Sequence, residues 1–117
     1  MHELSITQSM VEAIAEQTGG RRVLRVVLEI GRLSGVEVDA VRFCFDVVAA
    51  GTAVEGAELE IDEPQGQARC RQCGTTFEPS DPLAGCACGS LDLEVTSGEQ
   101  LRIREVRVKR DVRDVRV

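Results

Sequence analysis

Four cysteines, Cys70, Cys73, Cys86 and Cys88, fall within 19 residues of this 117-residue chain. They make two close pairs, Cys70-Arg-Gln-Cys73-Gly74 and Cys86-Ala-Cys88-Gly89, with twelve residues between Cys73 and Cys86. Two paired thiolate sites joined by a loop can enclose one tetrahedral ion. A glycine follows the last cysteine of each pair, where it lets the backbone turn tightly and aim N–H groups at sulfur. Zinc is the default ion for an all-sulfur site, and iron is the rival, because tetrahedral sulfur suits both. The plainer reading, four reduced structural thiols, would leave exposed thiols in a glycine-rich loop. The second pair has one intervening residue where a standard knuckle has two. Both of its thiols could ligate with distorted geometry, or Cys86 could be excluded and a fourth ligand come from elsewhere.

The other chemistry-bearing residue is His2, the only histidine in the chain. A lone histidine near a terminus is usually solvated and idle. Its position here allows more. With Met1 as a free amine, that amine, the His2 backbone nitrogen and the imidazole can close a five-membered and then a six-membered chelate ring. The Glu3 backbone nitrogen can close another. Four nitrogens in a plane suit Ni(II) or Cu(II). Such binding releases protons and weakens as pH falls. The fifth cysteine, Cys44, lies on the apolar side of a helical pattern and reads as a small core hydrophobe.

The elements that must position these groups follow from hydrophobic periodicity. Residues 5–18 read as a helix with Ile6, Met10, Val11, Ile14 and Ala15 on one face. Ser5 and Gln8 suggest a capping box, and Gly19-Gly20 ends the helix. Residues 22–31 read as a strand, with Leu24, Val26, Leu28 and Ile30 inward and Val23, Arg25, Val27 and Glu29 on a half-exposed face. Residues 37–50 read as a second helix, and 57–62 as a short strand with Leu59 and Ile61 inward. The strand–helix–strand segment is long enough for a parallel crossover.

Composition changes over residues 66–98, which are rich in Cys, Gly, Pro and Thr and poor in aliphatics. So few aliphatics cannot bury a stable core, so a metal would have to supply the stability. Aliphatic alternation returns after Gly98, but Leu101 and Ile103 have one parity and Val106 and Val108 the other. A bulge near Arg104-Glu105 would reconcile them. The expected fold is therefore α+β, a small sheet of about three strands covered by two helices, with an inserted zinc-ribbon-like lobe. Residues 1–65 plus 99–117 would form the α/β domain that carries the N-terminal Ni(II) or Cu(II) site, and 66–98 the inserted cysteine lobe, with zinc its default ion and iron the rival. Residues 111–117 alternate Val with charge and read as frayed strand or disorder.

Bulk numbers narrow the function classes. The formal net charge is −6, and there are three Phe and no Trp or Tyr. An acidic chain without a basic, aromatic-laced stripe is a poor nucleic-acid binder. No apolar run reaches membrane-span length, and the first residues lack a signal-peptide pattern, so a cytoplasmic location is expected. Reduced thiols there point to metal rather than disulfides. With one histidine and no Ser-His or carboxylate constellation, no active site can be assembled, and an enzyme is not expected.

Several stretches resemble a known family. Met1-His-Glu-Leu-Ser-Ile, Leu28-Glu-Ile-Gly-Arg-Leu-Ser-Gly-Val36, Phe43-Cys-Phe45 and the knuckles ending Cys88-Gly-Ser90 look like the HypA/HybF hydrogenase-maturation factors. The resemblance covers nearly the whole chain, in order. It implies a nickel metallochaperone that binds Ni(II) at Met1, His2 and Glu3 and holds structural Zn(II) with Cys70, Cys73, Cys86 and Cys88. It also implies cooperation with a HypB-type GTPase and delivery to the large subunit of [NiFe]-hydrogenase, with urease a further client in some organisms; a homodimer stays open. The family usually has Cys-Pro-x-Cys-Gly at the second knuckle, and Gly85-Cys86-Ala87-Cys88 departs from it. The rival readings are a rubredoxin-like iron protein, which would be red and bleach on reduction, and a zinc-ribbon docking module.

Overall fold

The computed structural model describes residues 2–81 and 83–110. Two expectations, Met1 as a nickel ligand and the character of the 111–117 tail, lie outside the described residues. The elements are α1 (Glu3–Gln17), β1 (Val23–Ile30), α2 (Val38–Ala49), β2 (Glu58–Asp62), β3 (Gln67–Cys70), β4 (Thr76–Phe77), β5 (Leu93–Ser97) and β6 (Leu101–Val108). They form two three-stranded sheets, β2-β1-β6 and β4-β3-β5. The architecture is α+β, with both helices on one face of the first sheet and the cysteines in the segment that carries the second.

Helix α1 starts two residues earlier than the Ser5 pattern suggests. His2 is its N-cap, without a side-chain cap bond. The reason is tertiary: the Glu37 N–H at the head of α2 donates to the Glu3 carboxylate at 3.1 Å, anchoring the first turn of α1. The Gly19 and Gly20 backbones have positive φ, as the helix stop requires. In the core, Val11 and Ile14 of α1 meet Val41, Phe45 and Ala49 of α2 over Val23, Val26, Leu28 and Ile30 of β1 and Ile61 of β2. Cys44 is only half-buried, so it flanks this core rather than filling it.

Strand β1 departs from simple alternation. Leu24 is 46% exposed, whereas Val23 is buried in the core. A register shift against β6 between Val23 and Arg25 moves the pleat by one residue there. The face expected to be half exposed is also more covered than its residue types suggest, with Val27 and Glu29 buried. No helix among the described residues lies on it. Long side chains do the covering, in the pairs Arg25–Glu60, Arg102–Glu29 and Arg104–Asp62. The last pair links β6 to β2 and so spans the central strand.

Strands β1 and β2 run parallel, joined through α2, while β6 returns antiparallel to β1. Val27 pairs with Glu105 and Leu28 with Ile103, which leaves Arg104 as the extra residue of a bulge. That bulge lets Ile103, Val106 and Val108 all pack against the same core.

The two sheets meet at a waist built from backbone. The Gly31 N–H donates to the Gln100 carbonyl at 2.7 Å, Arg32 N–H to Pro64 O at 3.0 Å, and Leu33 N–H to Gly98 O at 2.7 Å. Both chain passages into and out of the cysteine segment are thereby tied to the end of β1. A Cβ on Gly31 would sit 2.0 Å from the Gly98 carbonyl oxygen, so only glycine allows this approach.

Candidate metal centre

The cysteine centre is built from two backbone turns. In the first, Cys70 ends β3; its N–H donates to Thr75 O at 2.9 Å, and the Gly74 N–H returns to Cys70 O at 2.8 Å. In the second, the Cys86 N–H donates to Ser90 O at 3.0 Å and the Gly89 N–H to Cys86 O at 2.9 Å. Each turn thus closes the same way, with a positive-φ glycine donating to the carbonyl of the first cysteine. The second turn spans one residue fewer, which accounts for Cys-x-Cys in place of Cys-x-x-Cys. The short spacing leaves the Cys86 sulfur beside the other three.

All four Sγ atoms lie within 4.8 Å of one another. Cys70 Sγ is 3.7 Å from Cys88 Sγ, and Cys73 Sγ is 3.6 Å from Cys86 Sγ. Four sulfurs held about 2.3 Å from a central ion at tetrahedral corners stand about 3.8 Å apart. The separations therefore fit one tetrahedral ion of zinc's size. Cys70 and Cys86 are buried while Cys73 and Cys88 are exposed, so the centre opens to solvent on one side.

Donors aimed at the sulfurs favour thiolate, the form that binds metal. The Cys73 thiol donates to the Thr75 hydroxyl at 3.3 Å, and once the sulfur is ionised that hydroxyl can turn to donate; together with the Thr75 N–H it brings the Cys73 thiol down to about 6. The Cys73 N–H approaches Cys70 Sγ at 3.4 Å and lowers that thiol as well. At Cys86 the largest single influence, the Cys88 N–H, is downward. Burial and the neighbouring sulfurs outweigh it and push this thiol up to about 12. Sulfurs this close cannot all carry charge unless a cation sits among them.

Two supporting residues were not singled out from the sequence. Thr75 is one; its only sequence signal is a hydroxyl two residues after a cysteine. The other is Arg71, inside the first turn, whose guanidinium pairs with Asp92 at 3.0 Å and also donates to Leu93 O at 3.3 Å. This bond ties the first turn to the chain leaving the second. Its partners are 21 and 22 residues apart in sequence, so no local pattern marks it.

The remaining candidate residues lie apart from the thiols. His2 is exposed at the head of α1, with Glu3 as the first helical residue. Neither belongs to the four-cysteine cluster, which is the one group of three or more His, Cys, Asp or Glu side chains gathered closely enough to hold an ion among the described residues.

Residues 1–108 match the family described as "Hydrogenase/urease nickel incorporation, metallochaperone, hypA". This chain belongs to the HypA family. A HypA relative, the hydrogenase maturation factor HypA of Nostoc sp. (strain PCC 7120), is 50% identical over 109 residues, covering 93% of this chain and 96% of its own. The corresponding factor of Geobacter sulfurreducens is 48% identical over 110 residues, covering 93% of this chain and all of its own. Among solved structures, the solution structure of the Ni metallochaperone HypA from Helicobacter pylori is similar, with a TM-score of 0.62 and 25% identity over 92% of this chain and 97% of that one. HypA membership makes this a hydrogenase-maturation protein of a nickel-incorporation metallochaperone family. No helix among the described residues is long and apolar enough to cross a membrane.

Proposed function

We infer that the chain carries Ni(II) at its N-terminus and keeps a structural Zn(II) in the four-cysteine centre. Nickel is cargo. Its donors are the Met1 amine, the His2 backbone nitrogen and imidazole, and the Glu3 backbone nitrogen. The observation that carries this reading is the placement of His2. The chain's only imidazole stands exposed at the head of α1, next to the first helical amide. Deprotonating the Glu3 amide there breaks no hydrogen bond of the helix ladder, because the first turn's N–H groups are not part of it. An exposed site on a chain end can also be stripped by ligand exchange. Since raw affinity favours copper over nickel, docking with a partner sets which metal is delivered.

Zinc is resident. Cys70, Cys73, Cys86 and Cys88 would hold it, and when bound it supplies a closed thiolate staple for residues 66–98, which have too small a core to fold unaided. On this reading residues 1–65 and 99–117 form the nickel-binding domain and 66–98 the zinc lobe. The partners are a HypB-type GTPase and the [NiFe]-hydrogenase large subunit, met in the cytosol. The test is metal analysis followed by nickel titration of the untagged chain. Zinc in amounts equal to protein, and uptake of Ni(II) near neutrality, are expected; failure to take up nickel would overturn the delivery role.

A further inference from the structure

Within the cluster, whose sulfurs all lie within 4.8 Å of one another, two couples cross between the turns. Cys73 is exposed, and its Sγ lies 3.6 Å from that of buried Cys86. Cys88 is exposed, and its Sγ lies 3.7 Å from that of buried Cys70. Each couple crosses between the two turns and joins a sulfur that an oxidant in solvent can reach to one that it cannot. A disulfide needs an S–S distance of about 2.05 Å, so each couple must close by about 1.6 Å once no ion holds the sulfurs apart.

We propose that the centre is a peroxide-responsive zinc-release switch that closes two crossed disulfides, Cys73–Cys86 and Cys70–Cys88. The inference rests on the structural-zinc reading above. The chemistry balances with hydrogen peroxide as oxidant. The exposed thiolate attacks one peroxide oxygen, the O–O bond breaks, and a sulfenic acid and hydroxide form. The buried thiolate then attacks the sulfenic sulfur, the S–S bond forms, and a second hydroxide leaves. Each couple consumes one peroxide and loses two electrons, one from each sulfur. With both couples closed, no thiolate is left to hold the zinc, and it departs as Zn(II).

Crossed pairing has a structural consequence that pairing within each turn lacks. The crossed bonds join residues 13 and 18 positions apart. They staple the first turn to the second as the ion did, and loops of that length restrain the unfolded chain usefully. The oxidised lobe therefore keeps its fold, gives up its metal and is restored by thiol reductant and fresh zinc. Bonds of Cys70 to Cys73 and Cys86 to Cys88 would leave the two turns unlinked.

The test uses the zinc-loaded full chain treated with graded hydrogen peroxide, with a chromogenic chelator reading free zinc. Remaining thiols are alkylated, and the chain is cut after Arg and before Asp, which separates Cys70, Cys73 and the Cys86–Cys88 segment into three peptides. Zinc release should track disulfide formation, and tandem mass spectrometry should find both the Cys70 and the Cys73 peptides joined to the third, as Cys70–Cys88 and Cys73–Cys86. Dithiothreitol plus zinc should return the original thiol count. A Cys70–Cys73 link with a Cys86–Cys88 loop, sulfinic acids without disulfides, or zinc retained at twofold peroxide would each overturn the switch while leaving structural zinc standing. A chain that holds no zinc at the outset would instead overturn the zinc reading, and the switch with it.

Discussion

The Glu3 carboxylate accepts a hydrogen bond from the Glu37 backbone N–H at 3.1 Å, tying the first turn of α1 to the head of α2. The residue next to His2 is therefore held by tertiary structure, although it lies at the very start of the chain. The Glu37 N–H, followed by the Glu3 backbone N–H, holds the Glu3 carboxyl below the ordinary carboxylate range. A depressed carboxyl contributes stability that is present above its unfolded value of 4.5 and is lost as pH falls through the lower folded value. In metal-free protein, the Glu37 amide resonance should shift with this titration, at a pH below 4.5. Glu3→Ala should abolish that shift and increase amide exchange in the first turn of α1; an unchanged Glu37 titration would show the bond to be absent in solution.

Removing the ion, or one of its ligands, should act mainly on residues 66–98. Cys73→Ala, or chelator treatment of the parent, should unfold that segment and open it to proteolysis. The core of Val11, Ile14, Val41 and Phe45 should keep its helical circular dichroism. Loss of the helical signal in step with zinc would contradict the independence of the two cores.

The second turn makes a sharper demand. If Cys86 ligates as its sulfur position implies, Cys86→Ser should lose zinc to a competing chelator at least as readily as Cys88→Ser. Retention of zinc by Cys86→Ser alone would return the fourth position to some other group.

Most of the fold is legible in the sequence because its cores are aliphatic and periodic. The opposite parities of Ile103 and Val106 announce the Arg104 bulge, since both residues must reach one core. The start of α1 is not legible, because the Glu3–Glu37 contact that fixes it spans 34 residues. Neither is the covering of Val27, to which Arg104 contributes by reaching Asp62 across the central strand. At the metal centre the cysteine types and pairing carry most of the information. Their spacing alone leaves Cys86 open; what brings its sulfur to the other three is a turn one residue shorter, whose glycine donates three rather than four positions back.

The glycine waist should be intolerant of even one added carbon. A Cβ on Gly31 meets backbone, the Gly98 carbonyl at 2.0 Å, rather than a side chain that can swing away. Gly31→Ala should cost about 2–3 kcal/mol in denaturant titration. Gly51→Ala serves as the reference: Gly51 has φ of 78° with nothing within 4 Å, so it carries backbone strain without a clash. Equal losses at the two positions would deny the waist its tight approach.

Nickel delivery requires the chain end to wrap the ion in its own nitrogens. Isothermal calorimetry of Ni(II) into untagged protein tests it directly, beside His2→Ala and a version extended by two residues before Met1. Tight binding by the parent, and its loss in both variants with zinc and fold retained, is the predicted result. Nickel affinity unchanged by His2→Ala and by the extension would contradict it.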